Sequence, residues 1–342
     1  MGDLNGDGKQ DVAVADLNQY APGTVSVLLG NGDGTFQPAT AYATGMATDS
    51  VAIADLNGDG KPDLVVLDAG SIVGGSTVPS GVGILLGNGD GTFKPEVTYP
   101  SGAGGAELVV ADINGDGKLD VAVANNALGN LSILLGNGDG SFQPAVTTFD
   151  PNRRISISIA AGDLNGDGKP DLVVSDEEYD VDVLINNGDN TFQPAVPYPT
   201  FALSCCVTEP HSVAMSDVDG DGKLDVAVAN YGAHSVSIFR GNGDGTLQTQ
   251  VPYVINALPQ FVRFGDVNGD GILDVVVAEI VSPDLSVLLG NGDGTFQPQQ
   301  FFTVKGRTFS MAVGDVNGDR KADIVATSGS TNVGVLLSTC GH

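Results

Sequence analysis

The chain is a succession of short apolar runs separated by stretches rich in Gly, Asp and Asn, and the breaks recur. Ser50-Val51-Ala52-Ile53-Ala54 precedes one polar loop and Asp63-Leu64-Val65-Val66-Leu67 follows it, and both read as buried strands. A third run, Val82-Gly83-Ile84-Leu85-Leu86, leads into Asn-Gly-Asp-Gly, a strong hairpin signal. A fourth extends from a Phe through Gln-Pro or Lys-Pro to the Tyr or Phe near residues 42, 99, 149, 198 and 253. Its Pro suits an outer edge strand, where no ladder donor is lost.

The four-run unit repeats. Asp-x-Asn-Gly-Asp-Gly-x-x-Asp begins at Asp3, Asp55, Asp112, Asp163, Asp217, Asp266 and Asp315, at intervals of 49 to 57 residues. A second pattern, Leu-Leu-Gly-Asn-Gly-Asp-Gly-Thr-Phe-Gln, recurs at 28–37, 85–94, 134–143 and 288–297, with looser copies at 184–193 and 239–248. Seven four-stranded units of about 50 residues predict an all-β fold. The expected architecture is one seven-bladed β-propeller domain over residues 1–342, its blades four-stranded and antiparallel and its terminal blades incomplete.

These two motifs resemble FG-GAP/VCBS-type repeats, those of integrin α-chain propellers and of many secreted bacterial proteins. The resemblance spans essentially the whole chain. It implies a propeller and a calcium motif, and it says less about activity, because one fold hosts many functions.

Oxygen donors two residues apart on a tight loop suit Ca²⁺, a hard cation. Such loops fall at 3–11, 55–63, 112–120, 163–171, 217–225, 266–274 and 315–323. Position 1 is the Asp that opens each motif, and position 3 is Asn5, Asn57, Asn114, Asn165, Asp219, Asn268 or Asn317. Position 5 is Asp7, Asp59, Asp116, Asp167, Asp221, Asp270 or Asp319. Position 7 would give a carbonyl from Lys9, Lys61, Lys118, Lys169, Lys223, Ile272 or Lys321. Position 9 is Asp11, Asp63, Asp120, Asp171, Asp225, Asp274 or Asp323. The motif is not an EF-hand, since position 12 is an apolar strand residue such as Val66 or Val228. The bland alternative is an Asp/Asn/Gly turn holding no ion. Asp219 in place of Asn adds charge and affinity to loop 5. Arg320 stands at the turn Gly of loop 7, where φ > 0 is expected, and makes it the weakest of the seven sites. The Asn-Gly-Asp-Gly turns carry a single carboxylate each (Asp33, Asp90, Asp139, Asp189, Asp244, Asp293) and read as plain hairpins.

With the strands of a blade lettered A to D, parity puts the A–B loops and C–D turns on one face. The irregular segments 68–81, 150–156, 175–180, 199–211, 229–235 and 305–309 then gather on the other, where binding loops are expected. Candidate ligand residues there are Arg153, Arg154, Glu177, Glu178, Tyr179, His211, Tyr231, His234 and Arg307, with ordinary solvated side chains as the alternative. His211 and His234, placed on neighbouring blades, are the candidate acid/base pair. Cys205 and Cys206 are adjacent, and either a vicinal disulfide or two free thiols fits; Cys340 is expected too far away to join them.

Charge enters last. The chain carries 42 Asp and Glu against 14 Lys and Arg, a net −28, yet 41% of its residues are hydrophobic. Each loop holds three motif acids, Asp219 adds one, and each turn holds one; the other fourteen acids equal the fourteen bases. The acidity is therefore motif charge, which seven Ca²⁺ would halve to −14. It excludes a nucleic-acid backbone binder. No apolar run approaches the roughly 20 residues of a spanning helix. The absence of Trp weakens a sugar-stacking site.

Residue 1 stands just before a calcium loop and residue 342 just after a C strand, so blade 1 lacks strand A and blade 7 lacks strand D. That points to a fragment of a longer protein, with an export signal outside it. The functional expectation is a secreted or cell-surface calcium-binding module for adhesion or for an extracellular protein or glycan ligand. The alternatives are a surface or filament subunit that associates by strand donation, and a lyase-like polysaccharide enzyme.

Overall fold

The computed structural model describes residues 1–16, 22–73, 76–78, 80–127, 129–148, 156–176, 179–200, 208–279, 284–303, 308–328 and 332–338. Its strands form antiparallel sheets in chain order, the blades of a seven-bladed β-propeller. Blade 1 contains B (Val12–Asp16), C (Pro22–Leu28) and D (Thr40–Met46). Blade 2 contains A (Thr48–Ala54), B (Asp63–Asp68), C (Ser80–Leu85) and D (Val97–Gly102). Blade 3 contains Gly105–Ala111, Asp120–Asn125, Asn130–Leu134 and Val146–Thr148. Blade 4 contains Ser156–Gly162, Asp171–Asp176, Asp180–Leu184 and Val196–Pro199. Blade 5 contains Pro210–Ser216, Asp225–Asn230, Ser235–Phe239 and Val251–Val254. Blade 6 contains Pro259–Gly265, Asp274–Glu279, Asp284–Leu288 and Gln300–Thr303. Blade 7 contains A (Thr308–Gly314), B (Asp323–Ser328) and C (Asn332–Leu336). The expected strands are all present.

Three details differ from the sequence reading. The B–C connection of blade 2 forms its own hairpin, Ser71–Val73 with Ser76–Val78. The motif Pro of the fourth run is not in strand D. Pro38, Pro95, Pro144, Pro194 and Pro298 each precede strand D by two residues. The Phe ahead of each closes the C–D hairpin by an isolated bridge, as Phe36 does with Gly30, and the Pro, lacking an N–H, ends that ladder. Finally, strand A carries a β-bulge near its start in blades 2, 3, 5, 6 and 7, which the hydrophobic pattern does not reveal.

The chain divides into two compact units, residues 1–159 with 186–192, and residues 160–185 with 193–342; the division falls within strand A of blade 4. In the first unit the core lies between successive blades. Leu64, Val66 and Leu85 of blade 2 pack with Val25 and Val27 of blade 1. The alternate residues Val65, Leu67, Val82 and Ile84 pack with Val121, Val123 and Leu134 of blade 3. The same alternation serves the second unit, where Val275 and Val277 join the blade 5 cluster and Val276 and Ala278 join that of blade 7. In blades 2 to 6 strand B is thus buried on both faces, which is why it reads as a continuous apolar run instead of an alternating one. Each buried Val or Leu contributes about 1.5–3 kcal/mol.

A recurring aromatic joint fastens blade to blade. The strand D Tyr of one blade meets the C–D turn Phe of the next edge-to-face: Tyr42 with Phe93 at 5.3 Å, Tyr99 with Phe142 at 5.6 Å, and Tyr253 with Phe296 at 5.7 Å. The Tyr42 hydroxyl also donates to the Gly91 carbonyl at 3.3 Å. Phe142→Ala should lower the unfolding free energy by about 3–5 kcal/mol in urea denaturation, because it empties a buried slot between blades.

Candidate metal centre

Each A–B loop is folded by its own carboxylates. In loop 1, Asp3 Oδ1 accepts from the N–H groups of Gly6 (2.8 Å) and Asp7 (3.1 Å), and Oδ2 accepts from Gly8 (2.8 Å). Asn5 Oδ1 accepts from Asp7 N–H at 2.9 Å, and Asp7 Oδ1 accepts from Lys9 N–H at 3.0 Å. Positions 4 and 6 both take positive φ, 75° and 79° at Gly6 and Gly8. A side chain at either would meet nothing within 4 Å, so backbone conformation and not space selects glycine.

Arg320 tests that rule. It holds φ 68°, and its N–H donates to Asp315 Oδ2 at 2.8 Å, as the glycines do in the other loops. Loop 7 therefore keeps the common fold with a non-glycine residue in the left-handed region, as its sequence led one to expect.

The ninth residue plays a part the motif alone does not disclose. Asp63 is fully buried; its Oδ2 accepts from Leu56 N–H at 3.0 Å and its Oδ1 from Gly87 N–H at 2.7 Å. Leu56 belongs to the A–B loop and Gly87 to the C–D turn, so one carboxylate ties the two together. Asp11, Asp120, Asp225 and Asp274 make the same pair of bonds, and Asp323 uses Ser338 in the Gly position. Burial pushes these six carboxyls above the usual carboxylate range, and the backbone N–H bonds oppose the shift. The apolar residue at position 2 anchors the loop: Leu4, Leu56, Ile113, Leu164, Val218 and Val316 are buried.

The fifth position points the other way. Asp7, Asp59, Asp116, Asp167 and Asp221 pair with the Lys two residues on, at 2.9 to 3.7 Å, all exposed to solvent. The C–D turns are closed by their own side chains: Thr35 N–H and Oγ1 both donate to Asp33 Oδ1, and Asn31 Nδ2 donates to Thr35 Oγ1. That geometry is the plain hairpin expected of them.

Loop 5 gathers the most charge. Carboxylate oxygens of Asp217, Asp219 and Asp225 lie within 4.8 Å of one another. Arg240, which stands where other blades have Leu29, Leu86 or Ile185, places Nη1 3.8 Å from Asp219 Oδ2 and also donates to the Asp293 carbonyl. The charge that Asp219 adds is thus partly met by a second local departure from the repeat. The donor set of the loops suits a hard cation: carboxylates, a carbonyl and, in every loop but the fifth, an amide oxygen, with lone pairs left on position 9 after its backbone bonds.

The opposite ends of the blades hold the remaining candidates. His211 and Tyr231 are brought together, with rings stacked at 4.6 Å and 17°. His234 sits in the B–C turn of the same blade, not on a neighbouring one, because its segment links strands B and C of blade 5. Its Nδ1 lies 2.9 Å from the Ala257 carbonyl, so the two histidines have separate partners and the expected acid/base pair does not form. Burial lowers the His211 pKa, with Glu209 opposing. Tyr179 closes the blade 4 turn through its backbone, its N–H donating to Asp176 Oδ1 and its carbonyl accepting from Thr200. Arg153, Arg154, Glu177, Glu178, Arg307, Cys205, Cys206 and Cys340 lie outside the described residues.

The sequence matches the FG-GAP-like repeat description over residues 3–66, 72–123, 112–174, 163–228, 217–277 and 266–326. The chain belongs to the FG-GAP-like repeat family. No curated protein matches it. Among solved structures it is similar to an Agrocybe aegerita lectin recognising non-reducing terminal N-acetylglucosamine, at 21% identity and TM-score 0.58, covering 94% of this chain and 86% of that one. It is similar to the Pseudomonas aeruginosa periplasmic gluconolactonase PpgL, at 15% identity and TM-score 0.69, covering 98% and 87%. It is also similar to BBS1N, solved in complex with ARL6DN, at 13% identity and TM-score 0.64, covering 99% and 90%. At such identities these likenesses concern the fold.

The FG-GAP-like loop makes a contrast that mutation can read. In metal-free buffer Asp63→Ala should cost at least about 2–3 kcal/mol by urea denaturation, since it strands two buried N–H groups, whereas exposed Asp59→Ala should stay within about 0.5 kcal/mol. Arg320→Gly should stabilise the chain by about 1 kcal/mol and raise its melting temperature.

Proposed function

We propose that the seven A–B loops bind Ca²⁺ and that the chain acts outside the cell as a calcium-braced module for a glycan or protein ligand. The observation that carries the metal reading is the oxygen donor set of the loops, most concentrated where Asp217, Asp219 and Asp225 converge. Positions 1, 3, 5 and 9 with the position 7 carbonyl would hold the ion, and the ion would supply charge neutralisation and rigidity. Loop 5 carries the extra carboxylate, and loop 7, strained at Arg320, is the weakest site.

Extracellular modules bind Ca²⁺ with Kd of about 10⁻⁴–10⁻³ M. At tenfold excess over Kd a site adds about 1.4 kcal/mol, so seven sites add about 10 kcal/mol, as much as the net stability of an ordinary domain. Metal at that level would decide whether the chain is folded.

The ligand is assigned to the B–C and D–A ends of the blades, away from the stereotyped loops. The lectin and the ARL6DN complex support glycan and protein as the ligand classes, since propellers of this shape present such sites. The stacked His211–Tyr231 pair gives an enzymatic reading one concrete starting point, and the likeness to a gluconolactonase makes lactone hydrolysis the activity to assay beside polysaccharide cleavage.

Calcium should raise the melting temperature by many degrees and EDTA should reverse it, with calorimetry counting up to seven ions and Asp315→Ala changing the count least at low calcium. A melting temperature indifferent to EDTA would remove the metal reading. A glycan and protein array probed with wild type and with Tyr231→Ala should show ligand loss only for the latter, with calcium stability unchanged.

A further inference from the structure

Blade 2 differs from most blades at one position of strand C. Of the two blades with glycine there, blade 2 (Gly83) and blade 7 (Gly334), among the described residues only blade 2 fills the space with a carboxyl from ahead of strand D. The place in strand C that opposes the middle of strand B is polar in blades 1, 3, 4, 5 and 6, as Ser26, Ser132, Asp182, Ser237 and Ser286. In several of these blades it bonds the polar residue near the end of strand B: Ser26 to Asp16, Asn125 to Ser132, Asn230 to Ser237, Ser286 to Glu279. In blade 2 that place is Gly83. The space is taken by the carboxyl of Glu96, which enters from just before strand D; a Cβ at residue 83 would collide with Glu96 Oε1.

Asp68, the last residue of strand B, is 3% exposed, and its carboxyl lies within hydrogen-bonding contact of the Glu96 carboxyl. Its Oδ1 accepts from Thr48 Oγ1 at 3.0 Å, and Thr48 in turn meets Thr44 Oγ1 at 2.5 Å. Asp68 Oδ2 and Glu96 Oε1 are both buried, and neither has a well-formed N–H or O–H donor. The groups facing the pair are Thr48 of strand A, Thr98 of strand D and the Gly45 N–H of blade 1 strand D, and none of them carries charge. The nearby Asp49 carboxylate is set against Glu107 instead. Two bare carboxylates in such a place repel, and one proton between them satisfies both orphaned oxygens.

We propose that Asp68 and Glu96 share a single proton at neutral pH, a carboxyl–carboxylate bond that clasps strands B and D of blade 2 and loosens as pH rises. Blade 6 holds the permanent version. There Glu279 ends strand B and Gln299 precedes strand D, and the Gln299 amide donates to Ser286 Oγ and, at 3.4 Å, to Glu279 Oε1. Blades 1, 3 and 4 have Ala39, Ala145 and Ala195 at this position, blade 6 has an amide donor, and blade 2 has a carboxyl whose donor proton can be lost to water.

Burial first, and the Asp68 charge second, push the Glu96 carboxyl from 4.5 to about 7. Burial pushes Asp68 up as well. A carboxyl whose folded pKa exceeds its unfolded one gives its full stabilisation below about 4.5 and loses it as pH rises through about 7. The full chain should therefore be melted from about pH 5.5 to about pH 8.5 at one fixed calcium concentration, as wild type and as Glu96→Gln. Wild type should lose several degrees relative to Glu96→Gln across that range, since the amide keeps its donor at every pH. An infrared difference spectrum, wild type minus Glu96→Gln near pH 6, should show a buried protonated-carboxyl band. An identical pH slope in the two proteins overturns the proposal, and so does a difference spectrum without that band.

Discussion

The ninth carboxylate of each loop is the constraint on which the repeat depends. Folding a blade brings together a loop and a turn that are both made of glycine and polar residues, with little apolar surface to join them. A buried Asp solves this with two oxygens, one for a loop N–H and one for a turn N–H. The arrangement is costly for an isolated charge and tolerable for one that accepts two short hydrogen bonds. It also fixes where the other carboxylates stand. With position 9 held from below and position 2 sunk in the core, positions 1, 3 and 5 crowd onto the exposed rim of the loop. A hard cation is the natural partner for such a rim, and Lys at position 7 is a weak, solvent-screened substitute.

Packing between blades obeys a second rule that follows from the first. Because strand B is covered on both sides, consecutive residues of one strand serve two different cores, and each blade is stable only against its neighbours. The aromatic joints complete this at the outer edge. In two places a departure from the pattern comes with a second one beside it: Arg240 stands beside Asp219, and Gly83 makes room for Glu96. Such pairs are the points at which a repeated scaffold acquires individual character.

Much of the fold was legible because the turn chemistry repeats without ambiguity. Asp-x-Asn-Gly-Asp-Gly marks the A–B loops and Asn-Gly-Asp-Gly or a close variant marks the C–D turns, and the apolar runs between them give the strand count of each blade. The Pro of the fourth run misled because Pro in an edge strand and Pro just ahead of one look alike in a sequence. The strand A bulges left no trace, since a bulge changes register without changing composition. The motif shows position 9 as a ligand alone, because one of its hydrogen-bond donors is a turn amide some 16 to 24 residues away, beyond the reach of a local motif. The signal for the anchor at position 2 was present, as the variable residue of the motif is always Leu, Ile or Val. His211 and His234 fall on one blade, not two, because strand boundaries and not spacing decide which blade a loop belongs to.

Amide hydrogen exchange with and without calcium tests the division of labour within the loop most directly. The account predicts that the N–H groups of Leu56, Ile113, Gly87 and Gly136 stay protected in EDTA, held by Asp63 and Asp120, while those of 58–61 and 115–118 gain protection only when calcium is added. Rapid exchange at Leu56 and Gly87 in EDTA, with the chain still folded, would contradict it.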